Sequence, residues 1–175
     1  MKIDKIPYKE KGLLNVIIET PKGSQNKYDF NPQYRVFALK KTLPMGCDFP
    51  FDFGFVPNTK GEDGDPLDVL VLMEESSFPG CLIECRIVGI LEAEQKEKGE
   101  RPIRNDRIIA IADNSMLFKG IDDIKELNEN LVRQIEDFFI DYNKGEGREF
   151  RPLNWSRAKI AWDLIEESVN LFEKR

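Results

Sequence analysis

Residues 60–73 read KGEDGDPLDVLVLM, and the order within that stretch sets the fold. Gly61, Gly64 and Pro66 force a turn, after which Val69 to Met73 continue as an apolar run of strand length. Three acids, Asp63, Asp65 and Asp68, stand where that buried strand begins. Like charges this close raise one another's pKa, so they call for basic partners, solvent or a bound cation. A hard divalent ion is the natural relief: magnesium takes oxygen ligands, keeps several waters, and is commonly held by one or two carboxylates together with phosphate oxygens. A plain acidic surface turn is the alternative for any D-x-D, weakened here by the third acid and the strand that follows.

Outward from this stretch, residues up to about 115 read as short β-rich runs: Leu13 to Glu19, Lys27 to Phe30, Tyr34 to Lys40, Asp68 to Met73, Cys81 to Glu92 and Arg107 to Ala112. After Gly120 the period changes. Leu131, Val132, Ile135, Phe138, Phe139 and Tyr142 fall on one helical face that stops near Gly145 and Gly147. A second helix is expected from near Ser156, with Ile160, Leu164, Ile165, Val169 and Phe172 on its apolar side and Lys174 and Arg175 against its C-terminal dipole. Strands first and helices last, without β–α alternation, predict a mainly β fold: a closed or strongly curved antiparallel sheet flanked by two helices toward the C-terminus.

Composition narrows the chemistry. The length of 175 residues fits one domain spanning 1–175 with a real core. A formal charge of −6 argues against a general nucleic-acid binder. The N-terminal residues lack an apolar core of signal-peptide length, and no window reaches the roughly 18 apolar residues of a membrane span, so a cytoplasmic protein without membrane partners is expected. Cys47, Cys81 and Cys85 are too sparse for a disulfide scaffold and read as reduced packing residues. There is no histidine, which removes Ser-His and Cys-His nucleophiles and histidine metal centres together. Carboxylates and cations must do the work.

Other cation motifs fit poorly. An EF-hand starting at Asp63 would have Glu74 twelfth, but Asp68 would take the sixth position, which requires glycine. A dehalogenase-type phosphatase places its D-x-D after a hydrophobic strand, whereas here the strand comes after the acids. A glycosyltransferase D-x-D sits in a larger nucleotide-binding domain, for which the chain has no glycine loop.

DGDPLDV resembles the signature of the soluble family I inorganic pyrophosphatases. VIIET with Glu19, NKYD with Lys27 and Tyr28, FPFDFGFVPNT, CRIVGILEAE and QIEDFFIDYN resemble family segments in the same order, over most of residues 13 to 144. The resemblance implies an OB-like barrel, Mg²⁺ with Mn²⁺ as a possible substitute, hydrolysis of pyrophosphate to two phosphates, and a homo-oligomer, with a hexamer usual for short chains. It assigns Asp63 and Asp68 as metal ligands, Asp65 as the group that orients or deprotonates the attacking water, and Glu19 as support for an outer metal. Lys27, Lys41, Arg107 and Tyr142 are its phosphate contacts. Chemically this agrees with the residues: a small, highly anionic substrate needs metals to bridge its oxygens and cations to hold the leaving phosphate.

Several positions depart from that pattern. Lys41 stands where arginine is usual, keeping the charge without the bidentate fork. Phe49 and Phe53 replace tyrosines and so offer packing but no phenol. Asn143 follows Tyr142 where lysine is expected, and Asp29 replaces a glutamate. Asn105 aligns with a metal-binding aspartate, which leaves neighbouring Asp106, with Glu100 behind it, as the expected acid at that place. Two readings follow: an active pyrophosphatase, or a metal- and anion-binding relative that is non-catalytic or acts on another phosphoanhydride.

Overall fold

A computed structural model describes residues 2–174, so Arg175 of the terminal basic pair lies outside the described residues. In chain order the described residues form β1 (Lys9–Glu10), β2 (Leu13–Thr20), β3 (Asn26–Asn31), β4 (Val36–Thr42), β5 (Asp52–Phe55), β6 (Asp68–Leu72), β7 (Leu82–Lys96), β8 (Ile103–Arg104), β9 (Arg107–Ala112), α1 (Glu129–Gly145), β10 (Glu149–Arg157) and α2 (Ala158–Glu173).

Five strands close a ring of hydrogen bonds: β2 pairs with β5, β5 with β6, β6 with β9, β9 with β7, and β7 returns to β2. The expected curled β sheet with two late helices is therefore present. One pairing differs from the antiparallel expectation, because β6 and β9 run parallel, Val69 opposite Ile108 through Leu72 opposite Ile111. The chain reaches β9 only after a long excursion through β7 and β8, the kind of connection a parallel pair needs. Parallel strands buried on both faces read as unbroken apolar runs, which is how RIIAIA comes to be buried at all six positions.

Alternate side chains of these strands serve two cores. Leu70, Leu72, Ile109 and Ile111 pack with Ile135 and Phe139 of α1, whereas Val69, Val71, Ile108 and Ala110 pack with Ala161 and Ile165 of α2. The side chain of Asn128 caps α1 by accepting from Asn130 N–H at 2.9 Å. In α2 the apolar pattern predicts the face only partly: Ala161, Ile165 and Ser168 are buried, while Ile160 is 44 % exposed. Ser168 explains the rotation. Its hydroxyl accepts from Lys60 N–H at 2.6 Å and donates to Lys60 C=O at 2.8 Å, fastening the helix to the loop just before the acids.

β10 has no counterpart in the sequence reading. It carries Pro152 next to an irregularity between Pro152 and Asn154, and it pairs with β7 alone, the edge situation in which proline is tolerated. β3 and β4 form a separate two-stranded hairpin at the mouth of the ring. Among the described residues no helix is long and apolar enough to cross a membrane.

At one crossing β2 and β5 approach too closely for any side chain: a Cβ on Gly54 would lie 2.1 Å from the Ile17 carbonyl oxygen. Gly54→Ala is expected to lower unfolding stability by about 3 kcal/mol or to prevent folding, since the clash is with backbone that the ring holds in place. Urea denaturation followed by circular dichroism measures it.

Candidate active site

The turn and strand start that carry the acids open into a cleft of about 1070 Å³, whose other walls are the β3–β4 hairpin, the loop before β9 and the last turn of α1. Glu19, Asp63, Asp65 and Asp68 line it, as do Lys27, Lys41, Arg107 and Tyr142. Eight of the nine residues expected from the sequence are thus brought to one cavity.

Asp106 is the ninth and does not join them. Successive residues of an extended chain point to opposite sides, and Asn105 is the one that faces the cleft. The carboxylate of Asp106 accepts from Ala93 N–H at 2.8 Å and from Arg104 Nη2 at 2.9 Å, leaving its side chain 6 % exposed. It lines a smaller neighbouring cavity of about 280 Å³ that shares Asp63, Asp68 and Asn105 with the cleft. Glu100 lies on the cleft wall.

The cations are fixed from below by rings and from the side by acids. Lys27 Nζ sits 5.1 Å from the Phe53 ring centroid and 3.6 Å from Glu19 Oε2, and it also bonds Asp29. Lys41 Nζ is 4.2 Å from the Tyr142 centroid. The Arg107 guanidinium is 5.3 Å and 5.5 Å from the rings of Phe139 and Phe150. Its Nη1 donates to Asn105 C=O at 3.1 Å, to the Asn105 side-chain oxygen and to Asp106 C=O at 3.0 Å, and lies 2.9 Å from Asp68 Oδ2. Asn105 is in turn oriented by Gln95, whose Oε1 accepts from its amide at 3.0 Å. Two buried side-chain atoms lack partners among the described residues, Arg107 Nε and Asn143 Oδ1.

The phenylalanines, Gln95 and Asn143 were not assigned site roles from the sequence. Phe49 and Phe53 were expected to pack without a phenol, but no basic residue beside either in the sequence signals that Phe53 would lie under a lysine.

Electrostatics separates the acids. Burial pushes the Glu19 carboxyl up to about 7, against the pull of Lys27 and the Phe30 N–H, while Asp29 and Asp68 add repulsion. Burial also raises Asp68, only partly offset by Arg107 and Lys27. Asp63 is raised by the protein packed about its carboxylate and by the charges of Asp68 and Asp65, although the residue stays open to solvent on its outer side. For Asp29 burial is outweighed by Lys27 and Lys40, and its pKa falls. Burial likewise works against Lys27, but Glu19 and Asp29 overcome it and its pKa rises.

Three carboxylates held above their ordinary range are under-neutralised, and every side-chain donor they offer is a hard oxygen. That suits a divalent cation such as magnesium. Among the described residues no three acids or cysteines stand close enough to enclose one ion by themselves. A cation here would complete its shell with water and ligand oxygens, as magnesium usually does.

Comparison with known proteins gives a consistent picture. The family model described as inorganic pyrophosphatase matches residues 16–173. An inorganic pyrophosphatase of Synechocystis sp. is 35 % identical over 174 residues, covering 99 % of this chain and 100 % of that one. One from Nostoc sp. is 33 % identical with the same coverage. The crystal structure of inorganic pyrophosphatase from Thermus thermophilus superposes with a TM-score of 0.88 at 29 % identity, covering 99 % of each chain.

The raised pKa of Glu19 gives a signed expectation. Its carboxyl titrates near 4.5 when unfolded and about 7 when folded, so its contribution to stability is fully present below pH 4.5 and lost as pH rises through 7. Without divalent metal, the melting temperature of the protein should fall between pH 5 and 8 relative to that of Glu19→Gln. Saturating Mg²⁺ should close most of that gap. Scanning fluorimetry of both proteins across pH, with and without metal, measures it; parallel curves would show that Glu19 is not desolvated as described.

Proposed function

The chain belongs to the inorganic pyrophosphatase family, metal-dependent enzymes that hydrolyse pyrophosphate to two phosphates, and from that premise we propose how its own residues divide that reaction. The observation that carries the assignment is the gathering of two charge sets in one cleft, the acids Glu19, Asp63, Asp65 and Asp68 together with the cations Lys27, Lys41 and Arg107.

Mg²⁺ is the resident cation of this reading, with Mn²⁺ as a substitute, and Asp63 and Asp68 would hold it with Glu19 supporting an outer position. Once bound, the cation neutralises phosphate charge and acidifies water. Asp65 is the base. It is exposed, makes no ion pair among the described residues, and its own backbone N–H donates to Asp63 Oδ1 at 3.1 Å, which fixes the turn that presents it. A carboxylate with no ion-pair partner is free to accept a hydrogen bond from the attacking water.

Lys27, Lys41 and Arg107 hold phosphate oxygens and balance charge on the leaving group. The Tyr142 hydroxyl adds a donor from the end of α1. Chemically, the water oxygen bonds to one phosphorus as the bridging P–O bond breaks, and the two protons of that water end one on each hydrogen phosphate. Asn105, which lines the cleft but carries no charge, orients Arg107 in this scheme.

The remaining parts of the reading are coarser. One domain spans residues 1–175, in the cytoplasm. The assembly is a homo-oligomer, with a hexamer as the size the family resemblance implies. Exposed Phe78, Leu82, Met116 and Leu117 support association of copies. Light scattering tests it against a chain mass of 20.3 kDa.

A phosphate-release assay with pyrophosphate and Mg²⁺ tests the chemistry. Wild type is expected to turn over, and Asp65→Asn should lose about 10²- to 10⁴-fold in kcat with an unchanged melting temperature. Silence of the wild type in both Mg²⁺ and Mn²⁺ would sink the proposal, and an Asp65→Asn enzyme of normal kcat would remove Asp65 as the base.

A further inference from the structure

Lys27 and Lys41 are directly opposite each other on the antiparallel β3–β4 hairpin. Opposed residues of such a pair share a face, and two like charges there repel. Each ammonium is relieved by an acid from elsewhere in the fold. Lys27 has Glu19 on β2 and Asp29 two residues along its own strand. Lys41 has a different kind of partner: its Nζ lies 2.7 Å from Oε2 of Glu146, across the cleft at the C-terminal cap of α1.

Glu146 has the placement of a stand-in anion. Its side chain is 30 % exposed and that of Lys41 21 %, so the pair is reached from solvent and can exchange. Both residues line the cleft. Glu146 comes from a segment anchored independently of the hairpin, since its N–H donates to Asn143 C=O at 2.9 Å and Arg148 N–H donates to the same oxygen at 3.0 Å. The Tyr142 ring beneath Lys41 holds the ammonium in place without cancelling its charge. A phosphate group approaching Lys41 therefore meets a cation already engaged by a carboxylate.

We propose that Glu146 is an internal competitor for the Lys41 ammonium, an electrostatic latch between the hairpin and α1 that pyrophosphate must displace on binding. The inference rests on the reading that Lys41 holds a phosphate group. Part-exposed ion pairs contribute about 0.2–1 kcal/mol, so removing the competitor should tighten substrate binding by roughly 1.5- to 5-fold. Chemistry at phosphorus is untouched, because Glu146 meets no reacting atom.

The test is Glu146→Gln in the full-length enzyme, with Glu146→Ala as a second variant. Steady-state kinetics with pyrophosphate and Mg²⁺ should show KM reduced by that factor at wild-type kcat. Calorimetry with the non-hydrolysable methylenediphosphonate should show the same tightening. Added KCl should shrink the difference from wild type, because the pair is screened. Lys41→Met separates the two layers of the argument. If Lys41→Met weakens analogue binding while both Glu146 variants leave KM unchanged or raise it, the latch is overturned and the phosphate contact stands. If Lys41→Met leaves binding unchanged, both are overturned.

Discussion

The ion pair between Asp68 and Arg107, 2.9 Å long, lies where two parallel strands begin, and the site is arranged around it. Val69 is opposite Ile108, so the residue before each stands at the same end of the pair. Were β6 and β9 antiparallel, Arg107 would start its strand at the far end and the acid would have no partner. The strand ladder therefore decides the electrostatics. A pair this enclosed is weak support for stability, since desolvating two charges offsets their attraction, but removing one partner alone costs about 3–5 kcal/mol. Its consequence is positional: it fixes one metal-ligand candidate and one phosphate-contact candidate relative to each other before any ligand arrives.

Around that fixed pair the acids are left short of positive charge. Burial raises Glu19, Asp68 and Asp63, the last with added repulsion from Asp68 and Asp65, in each case beyond what the neighbouring cations and N–H donors restore. A soluble fold accepts such a cost where something that binds later removes it. A divalent cation would supply the missing charge, and with no three-acid cage among the described residues part of its shell would fall to water and substrate. The same distribution distinguishes Asp65, which makes no ion pair among the described residues, from Asp68, which is paired with Arg107. The candidate ligands and the candidate base come from one hexapeptide, yet their surroundings differ.

Much of this was legible in the sequence because it is written in local order. DGDPLD followed by VLVLM fixes a turn that presents acids at a strand end, and the change from β runs to helical period after Gly120 predicts α1 and α2. What was not legible depends on phase or on distant partners. Asn105 and Asp106 differ only in which side of an extended segment they face, and that phase is set by Ala93 N–H and Arg104 capturing Asp106. β10 hides behind Pro152 because an edge strand needs no N–H there. In α2, Ser168 is buried ahead of the larger Ile160 because it fastens Lys60, a contact across 108 residues. No composition rule anticipates it.

The aromatic substitutions take a physical meaning from the same geometry. The three cations proposed to hold phosphate rest on rings: Lys27 on Phe53, Lys41 on Tyr142, and Arg107 near both Phe139 and Phe150. A carboxylate beneath a lysine would cancel its charge, whereas a ring face attracts it through a quadrupole and leaves the net charge intact. Rings also pack: Phe49 touches Phe53, Phe138 and Tyr142 with centroids 5.2–5.7 Å apart, so the floor is continuous with the core around α1. Replacing a phenol by phenylalanine at Phe49 and Phe53 thus gives up a hydrogen-bond donor but keeps a dry surface under the ammonium groups. A charge held over such a surface is less hydrated and interacts more strongly with a phosphate than the same charge in water. The raised acids of the cleft are short of positive charge, and its ring-supported cations are each paired with an acid that an incoming phosphate would have to displace. A polyanion carrying its own metal satisfies both at once.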